Sequence, residues 1–356
     1  MTIFHPLKIK DVVRETKDAV SISFDVPDDL KDAYKFTQGQ HLTLKEVLDG
    51  EEVRRSYSIC SAVGDADLRI AVKKINGGKF SSHANQNINP GEVIEVMEPQ
   101  GRFYTQLSAD NSKHYLAMAA GSGITPIMSI IKTILKTEAA SQVTLVYGNR
   151  SISGIIFLEA LEDLKNLYPD RFNVMHILSR ERQDVELFNG RINGEKCGEL
   201  FDSVINVASL DETFLCGPEQ MILAAQDALQ VRGLDKANIH FELFVTDAVK
   251  EAGQKPQARE EVGPKRQVEI ILNGRRTEVD VVEEGNSILD AALQQGLDLP
   301  YACKGGVCST CRAKVLKGDV RMDINYALED DEVAEGFVLT CQSHPLTDDV
   351  VVDFDA

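Results

Sequence analysis

Four cysteines near the carboxyl end constrain this chain more than any other feature. Cys303, Cys308 and Cys311 read C-x4-C-x2-C, and Cys341 follows after 29 intervening residues. Cysteines at that spacing hold a 2Fe–2S cluster. The loop from Cys303 to Cys311 then has to wrap an inorganic cluster closely. Gly305 and Gly306 sit in the middle of it and admit backbone conformations that a Cβ forbids. Backbone N–H groups in such a loop point at the sulfurs and tune the potential. A four-cysteine zinc site is the alternative, with Cys308-x2-Cys311 as one knuckle. Zinc sites of that kind usually come as two CxxC knuckles, which favours iron and sulfur. Because such a cluster carries one electron at a time, the expected role of the chain is electron transfer.

The chain has 356 residues, room for two or three domains. Its 43% hydrophobic and 26% charged residues are an ordinary globular mix. No apolar run approaches a membrane span. The first residues, Met1 to Pro6, lack the basic and apolar regions of a signal peptide. The cysteine count is seven, an odd number that argues against a disulfide framework and for a reducing cytoplasm. The net charge of −18 is uneven: residues 267–356 carry 18 acids and 7 bases, for −11, leaving −7 for residues 1–266. That balance opposes nucleic-acid binding. An acidic face beside a cluster steers a basic electron-transfer partner, and it equally serves solubility.

Three kinds of sequence follow one another. Residues 1–110 hold short apolar runs, such as Ala19–Val26, His41–Leu44, Tyr57–Ser61 and Leu68–Lys74, separated by turns. Many short strands in so few residues predict a small antiparallel β-barrel. From 111 to 245 strand and helix alternate. Tyr115–Ala120, Val143–Tyr147, Asn173–Leu178 and Thr213–Cys216 read as strands, and Ile127–Lys136, Leu158–Asn166 and Gln220–Val231 as helices. That order predicts an α/β domain with a parallel sheet. Residues 246–266 are polar, hold two prolines and have no apolar period, so they read as a linker. From 267 to 356, the strand Val268–Leu272, the turn Asn273-Gly274, a second strand and a helix at Ser287–Gln295 lead into the cysteine loop. This is the order of an α+β domain of the β-grasp class.

Two short motifs fit a flavin. In Arg55-Ser56-Tyr57-Ser58, alternation along a strand puts Arg55 and Tyr57 on one face. Tyr57 can stack on the isoalloxazine, Arg55 can pair with phosphate and Ser58 can bond to the ring. Some twenty residues on, Gly77-Gly78-Lys79-Phe80-Ser81-Ser82 offers glycine, hydroxyls and a helix expected to start at Ser81, which suits a pyrophosphate. Either motif alone also reads as an ordinary strand or capped turn; the pair in this order is more specific. Whether the flavin is FAD or FMN stays open, since the turn fits either phosphate group.

Ala120-Gly121-Ser122-Gly123-Ile124-Thr125-Pro126 lies between a predicted strand and helix. Its glycines let the backbone approach a pyrophosphate, and Pro126 suits the first helical position. It is neither a G-x-G-x-x-G motif nor a P-loop. Cys216-Gly217-Pro218, with Met221 beyond, ends a later strand at the same expected sheet edge. None of the seven histidines sits at metal-ligand spacing.

Taken in order, these motifs resemble the ferredoxin–NADP reductase superfamily over residues 1–245, followed by a plant-type ferredoxin domain. The whole chain resembles the reductase components of multicomponent oxygenases, and is most similar to the phenylacetyl-CoA epoxidase reductases. The resemblance implies that Cys216 lies by the nicotinamide and that Glu242-Leu243-Phe244 lies near the flavin ring, giving Cys216, Tyr57 and Ser58 catalytic parts. It implies that Ser179-Arg180, with Arg150, reads a 2′-phosphate, so NADPH is favoured. Thr125, Gly217 and Pro218 join the nucleotide set, and Gly78 to Ser82 the flavin set. The expected path runs from NADPH through the flavin to the cluster, and then to an oxygenase component. The first expected acceptor is the diiron oxygenase that epoxidises an aromatic acyl-CoA. A Rieske oxygenase and a hybrid-cluster protein, with NADH as donor, are alternatives, and a redox-sensing module without a catalytic partner is a rival of another kind.

Overall fold

The computed structural model describes residues 4–244 and 262–356. The first sheet has six antiparallel strands: β1 (Phe4–Thr16), β2 (Ala19–Asp25), β3 (His41–Leu48), β4 (Glu51–Ser58), β5 (Leu68–Lys73) and β6 (Val93–Met97). Their spatial order is β4-β3-β6-β1-β2-β5. An isolated bridge between Ile59 and Ile70 joins the end of β4 to β5 and closes the barrel. Leu7, Ile22, Leu42, Leu44, Ile70 and Val96 fill it. Register shifts in β1 at Ile9/Asp11 and Arg14/Thr16 bend this long strand against β2. Helix α1 (Lys79–Gln86) packs Phe80 and Ala84 into the same core.

The second sheet is parallel throughout, with β7 (His114–Ala120), β8 (Gln142–Asn149), β9 (Phe172–Leu178), β10 (Glu212–Gly217) and β11 (Ile239–Leu243) in the order β11-β10-β7-β8-β9. Helices α2 (Ile124–Thr137) and α3 (Leu158–Leu167) cover one face through Ile127, Ile131, Ile134 and Leu161. Helices α4 (Gly194–Ser203) and α5 (Glu219–Val231) cover the other through Leu200, Phe201, Ile222 and Leu229. The chain reverses its direction of winding between β7 and β10. Ligands of open α/β sheets bind at that switch point, beyond the carboxyl ends of the strands.

The third sheet orders β12 (Val262–Leu272), β13 (Arg275–Glu284), β14 (Arg312–Lys317), β16 (Phe337–Leu339) and β18 (Val350–Asp353) as β13-β12-β18-β14-β16. Short strands β15 (Val320–Met322) and β17 (Ser343–Pro345) pair separately, and the helices are α6 (Ile288–Gln294) and α7 (Asp330–Ala334). Asn273 and Gly274 take φ of 53° and 71°, the left-handed pair a two-residue hairpin needs. Both donate their N–H groups to the Asp355 carboxylate, which ties the turn to the chain end.

Some expectations shift. Strand β12 begins at Val262, so residues 262–266 of the expected linker are part of a strand, with Arg266 opposite Val281. Residues 246–261 lie outside the described residues. Helix α1 starts at Lys79 after Gly78, two residues before the expected Ser81. Helix α2 starts at Ile124, so Pro126 is its third residue rather than its first. It still sits in the first turn, where no N–H needs an intrahelical acceptor.

Candidate functional site

The switch point is built by glycines that leave no room for a side chain. Gly121 to Gly123 form one turn of 3-10 helix after β7. A Cβ on Gly123 would stand 2.1 Å from the Cys216 carbonyl oxygen, and one on Gly217 2.6 Å from the Met221 methyl carbon. The Gly121 turn and the Cys216-Gly217-Pro218 strand end therefore touch backbone to backbone. Thr125 Oγ1 donates to the Ser122 carbonyl at 3.0 Å, and Tyr147 Oη to the Gly121 carbonyl at 2.9 Å. Pro218 is exposed and precedes α5 as its N-cap.

Cys216 is buried, and burial followed by the nearby Glu242 carboxylate pushes its thiol well up, so it is a neutral group. It pairs in register with Glu242 across β10 and β11. Ser58 Oγ at the end of β4 donates to Glu242 Oε2 at 3.2 Å, joining barrel and parallel sheet. Desolvation raises the Glu242 carboxyl to about 8, against the weaker opposing pull of Ser58. Phe244 packs against the core of the second domain.

On the flavin side, Arg55 and Tyr57 are half-buried on β4, with the Tyr57 ring 5.5 Å from Phe80. Phe80 is core, and Lys79 pairs with Glu51 at the surface. The Ser81 hydroxyl is engaged inside the turn: it accepts from Ile75 N at 3.1 Å and donates to the Gly78 carbonyl at 3.4 Å. Gly78 is again a place without space, since a Cβ would stand 2.5 Å from Ser81 Oγ. Ser82 N donates to the Gly78 carbonyl. What this turn presents to an anion is its backbone, as the N–H groups at 79–81 lack intrahelical acceptors. A phosphate group fits there.

The β8–β9 ladder runs past its strands: Ser179 N donates to the Asn149 carbonyl and Arg180 N to the Arg150 carbonyl. Arg150 and Arg180 thus stand side by side, both exposed. Lys73, which sequence reasoning missed, completes the set. Its Nζ would be 3.2 Å from a Cβ on Gly121. Burial first, and then Arg150, lowers its affinity for a proton. Cations converging on a glycine turn suit phosphate. The signal for Lys73 was a lysine closing the alternation of Leu68, Ile70 and Val72, and nothing in the sequence says which loop that strand end meets.

The four cysteines lie on one loop and one 3-10 turn. Lys304, Gly306 and Ser309 take φ of 52°, 76° and 50°, and a Cβ on Gly306 would meet the Ile324 carbonyl at 3.0 Å. The thiols form two close pairs, Cys303 with Cys308 and Cys311 with Cys341. Cys308, with help from backbone N–H groups of Gly305, Val307 and Cys308, holds the Cys303 thiol below its ordinary value despite partial burial. Among the described residues no three His, Cys, Asp or Glu side chains gather as ligands of one ion. Two thiol pairs side by side fit a cluster with two irons better than one tetrahedral zinc.

One cleft brings Glu242 and the cysteine loop together. His41, Gly101 and Phe103 of the barrel side and His240 and Glu242 of β11 line one wall; Val307, Cys308, Ser309 and Tyr326 line the other.

Known proteins match all three domains. Family models match residues 6–104 as an oxidoreductase FAD-binding domain, 118–227 as an oxidoreductase NAD-binding domain and 270–346 as a 2Fe-2S iron-sulfur cluster binding domain. The chain is 50% identical to the E component of the 1,2-phenylacetyl-CoA epoxidase of Escherichia coli strain K12, over 100% of this chain and 99% of that one. It belongs to the ferredoxin–NADP reductase family, among the reductase components of multicomponent oxygenases. A 3-ketosteroid-9-alpha-monooxygenase ferredoxin reductase component of Rhodococcus rhodochrous is 32% identical over 98% of this chain and 96% of that one. The crystal structure of phthalate dioxygenase reductase shares the fold, with a TM-score of 0.59 at 20% identity over 99% of this chain and 98% of that one. The chain is an NAD(P)H-dependent flavin reductase component of the multicomponent oxygenase type, with FAD and a 2Fe–2S cluster as its cofactors.

Proposed function

We propose that NADPH is the donor and that the acceptor is a diiron oxygenase that epoxidises an aromatic acyl-CoA, phenylacetyl-CoA first. Lys73 at the Gly121 turn, Arg150 close enough to lower its proton affinity, and Arg180 beside Arg150 in the ladder support the choice of donor. Neither arginine has a carboxylate partner among the described residues, which suits a guest that brings its own phosphates. Full-length identity of 50% to the Escherichia coli epoxidase component supports the acceptor. Among the described residues no helix is long and apolar enough to cross a membrane, and all seven cysteines are free, which supports a place in the reducing cytoplasm.

In this reading each residue has a definite part. FAD, when bound, would supply two-electron hydride acceptance from the nicotinamide and one-electron release to a 2Fe–2S cluster. Arg55 and the backbone N–H groups at 79–81 hold the flavin phosphates, and Tyr57 covers the ring. The turn at Gly121, Gly123, Thr125 and Pro126 seats the nucleotide pyrophosphate, while Ser179 and Arg180 read the 2′-phosphate. The neutral Cys216 thiol and the Gly217–Pro218 backbone bound the nicotinamide without placing a charge beside it. Glu242 keeps its proton on the carboxyl near neutral pH, and Ser58 fixes that carboxyl at the cleft wall. Cys303, Cys308, Cys311 and Cys341 ligate the cluster.

The test uses the holoenzyme, the diiron component and phenylacetyl-CoA, with kcat/KM measured for NADPH and NADH. Wild type should prefer NADPH and couple its oxidation to epoxide formation. Arg180→Ala should lower the NADPH/NADH ratio about 10- to 100-fold, the worth of a charge-assisted bond of about 1.5–3 kcal/mol. An unchanged ratio removes Arg180 from specificity, and uncoupled NADPH oxidation rejects this acceptor.

A further inference from the structure

Arg54 stands on β4 next to the flavin-facing Arg55, but its side chain leaves by the opposite face. It is only 7% exposed, and its partners come from two domains. Its Nε donates to Glu52 Oε1 at 2.8 Å, within the barrel. Its Nη2 donates to Asp298 Oδ1 at 3.3 Å, and its Nη1 reaches the Leu299 carbonyl at 3.5 Å, both in the ferredoxin domain. The guanidinium carbon lies 4.3 Å from the Tyr301 ring centroid and 5.1 Å from that of Phe4. One buried cation is therefore stacked and hydrogen-bonded between the two domains, just ahead of Cys303.

A second buried charge lines the cleft itself. The Glu332 side chain, 5% exposed, lies 2.5 Å from Arg102 Nη1 of the barrel side and 3.0 Å from Arg312 Nε. Arg312 directly follows Cys311 and covers the Phe337 ring at 3.4 Å. Val307, Cys308 and Ser309 line the same cleft as Glu332, Arg102, Glu242 and His41. Buried ion pairs contribute little net stability because desolvation offsets their attraction; their best-attested use is to fix one register. Planar guanidinium groups serve that use well, since both bonding and stacking are directional. Tunnelling between redox centres weakens steeply with distance, so a fixed register across this cleft sets the rate of the step that crosses it.

We propose that Arg54 and Glu332 are positioning residues, which hold the ferredoxin domain with its Val307–Ser309 edge over the flavin cleft during flavin-to-cluster transfer. This rests on the electron path given above. The step itself forms and breaks no bond: each electron lost by the flavin is gained by the cluster, and NADPH supplies the pair.

The experiment compares wild-type holoenzyme with Arg54→Ala, Glu332→Gln and the charge swap Arg54→Glu with Asp298→Arg. Anaerobic stopped-flow mixing with NADPH follows flavin bleaching and cluster bleaching separately. Small-angle scattering gives the radius of gyration at low and high salt. The expected result for Arg54→Ala and Glu332→Gln is flavin bleaching at the wild-type rate, cluster bleaching at least tenfold slower and a larger radius of gyration. The swap should recover most of the cluster rate and the compact radius. Unchanged cluster bleaching and scattering in both single variants overturns the proposal. So does slowed cluster bleaching at an unchanged radius with no recovery in the swap. Should Arg54→Ala fail to fold, Glu332→Gln and the swap carry the same two outcomes. Failure of NADPH to bleach the wild-type flavin would instead count against the electron path.

Discussion

Replacing Gly123 with alanine puts a methyl group where the carbonyl oxygen of Cys216 already lies. The added Cβ would be 2.1 Å from that oxygen and 2.6 Å from its carbon, and both are backbone atoms that cannot swing aside. The turn or the strand end must retreat by about 1 Å to reach a tolerable contact. Overpacking of this kind costs about 1–3 kcal/mol. In a unit of this size that lowers Tm by about 2–4 °C for each kcal/mol. The kinetic effect should be larger, because the same two segments form the proposed nucleotide seat. A misplacement of about 1 Å can cost about 100-fold in rate. The assay is anaerobic flavin bleaching by NADPH, beside dithionite reduction of the cluster as a control that bypasses the seat. Gly194→Ala is the matched control, since nothing lies within 4 Å of a Cβ there. The reasoning fails if Gly123→Ala keeps its Tm and bleaches flavin within twofold of wild type.

Two further outcomes are expected. Glu242 holds a proton in the folded chain up to about 8, while the unfolded chain releases it near the ordinary carboxyl value of 4.5. The folded state then binds the extra proton, so this group's contribution to stability falls as pH rises through that window, by about 0.7–1.4 kcal/mol per unit after allowing for solvent screening, and levels off above it. Glu242→Gln lacks the loss, so its Tm should gain on wild type from about pH 5 to about pH 8; parallel Tm curves would refute the assignment. Cys303→Ala, which breaks one thiol pair, should abolish the broad visible bands of the cluster and its EPR signal while leaving NADPH bleaching of the flavin intact. Retention of the EPR signal would exclude Cys303 as a ligand.

The features that sequence alone made legible are those where chemistry and spacing lie close together in the chain. The loop from Cys303 to Cys311 is one such feature, and the Asn273-Gly274 hairpin another, since each carries its own backbone requirement. The Gly121–Pro126 turn was also visible, although its helix begins earlier than the proline suggested. What could not be read depends on contacts between distant segments. Lys73 gains meaning only because β5 ends against the Gly121 turn. Arg54 meets a carboxylate 244 residues further along the chain. The roles of Ser81 and Phe80 were obscured for the opposite reason: hydroxyl and ring types that suit a ligand are equally suited to closing a turn and filling a barrel. Helix α4 went unread, although Asn193 caps it and Cys197, Leu200 and Phe201 follow at helical spacing.

Strand β4 carries two tasks on opposite sides of a single ribbon, with Arg55 and Tyr57 on one and Arg54 on the other. The pairing with β3 runs from Ser58 to Glu51 without a bulge that could absorb an error. Inserting or deleting one residue there would therefore trade the two faces, turning Tyr57 toward the ferredoxin domain and Arg54 away from it. A change of two residues keeps the faces but slides them by about 7 Å. Length variation in this family should thus be excluded from β4 and pushed into the loops around it. Grafts that join a barrel from one member to a ferredoxin domain from another should succeed only where the phase of this strand is kept.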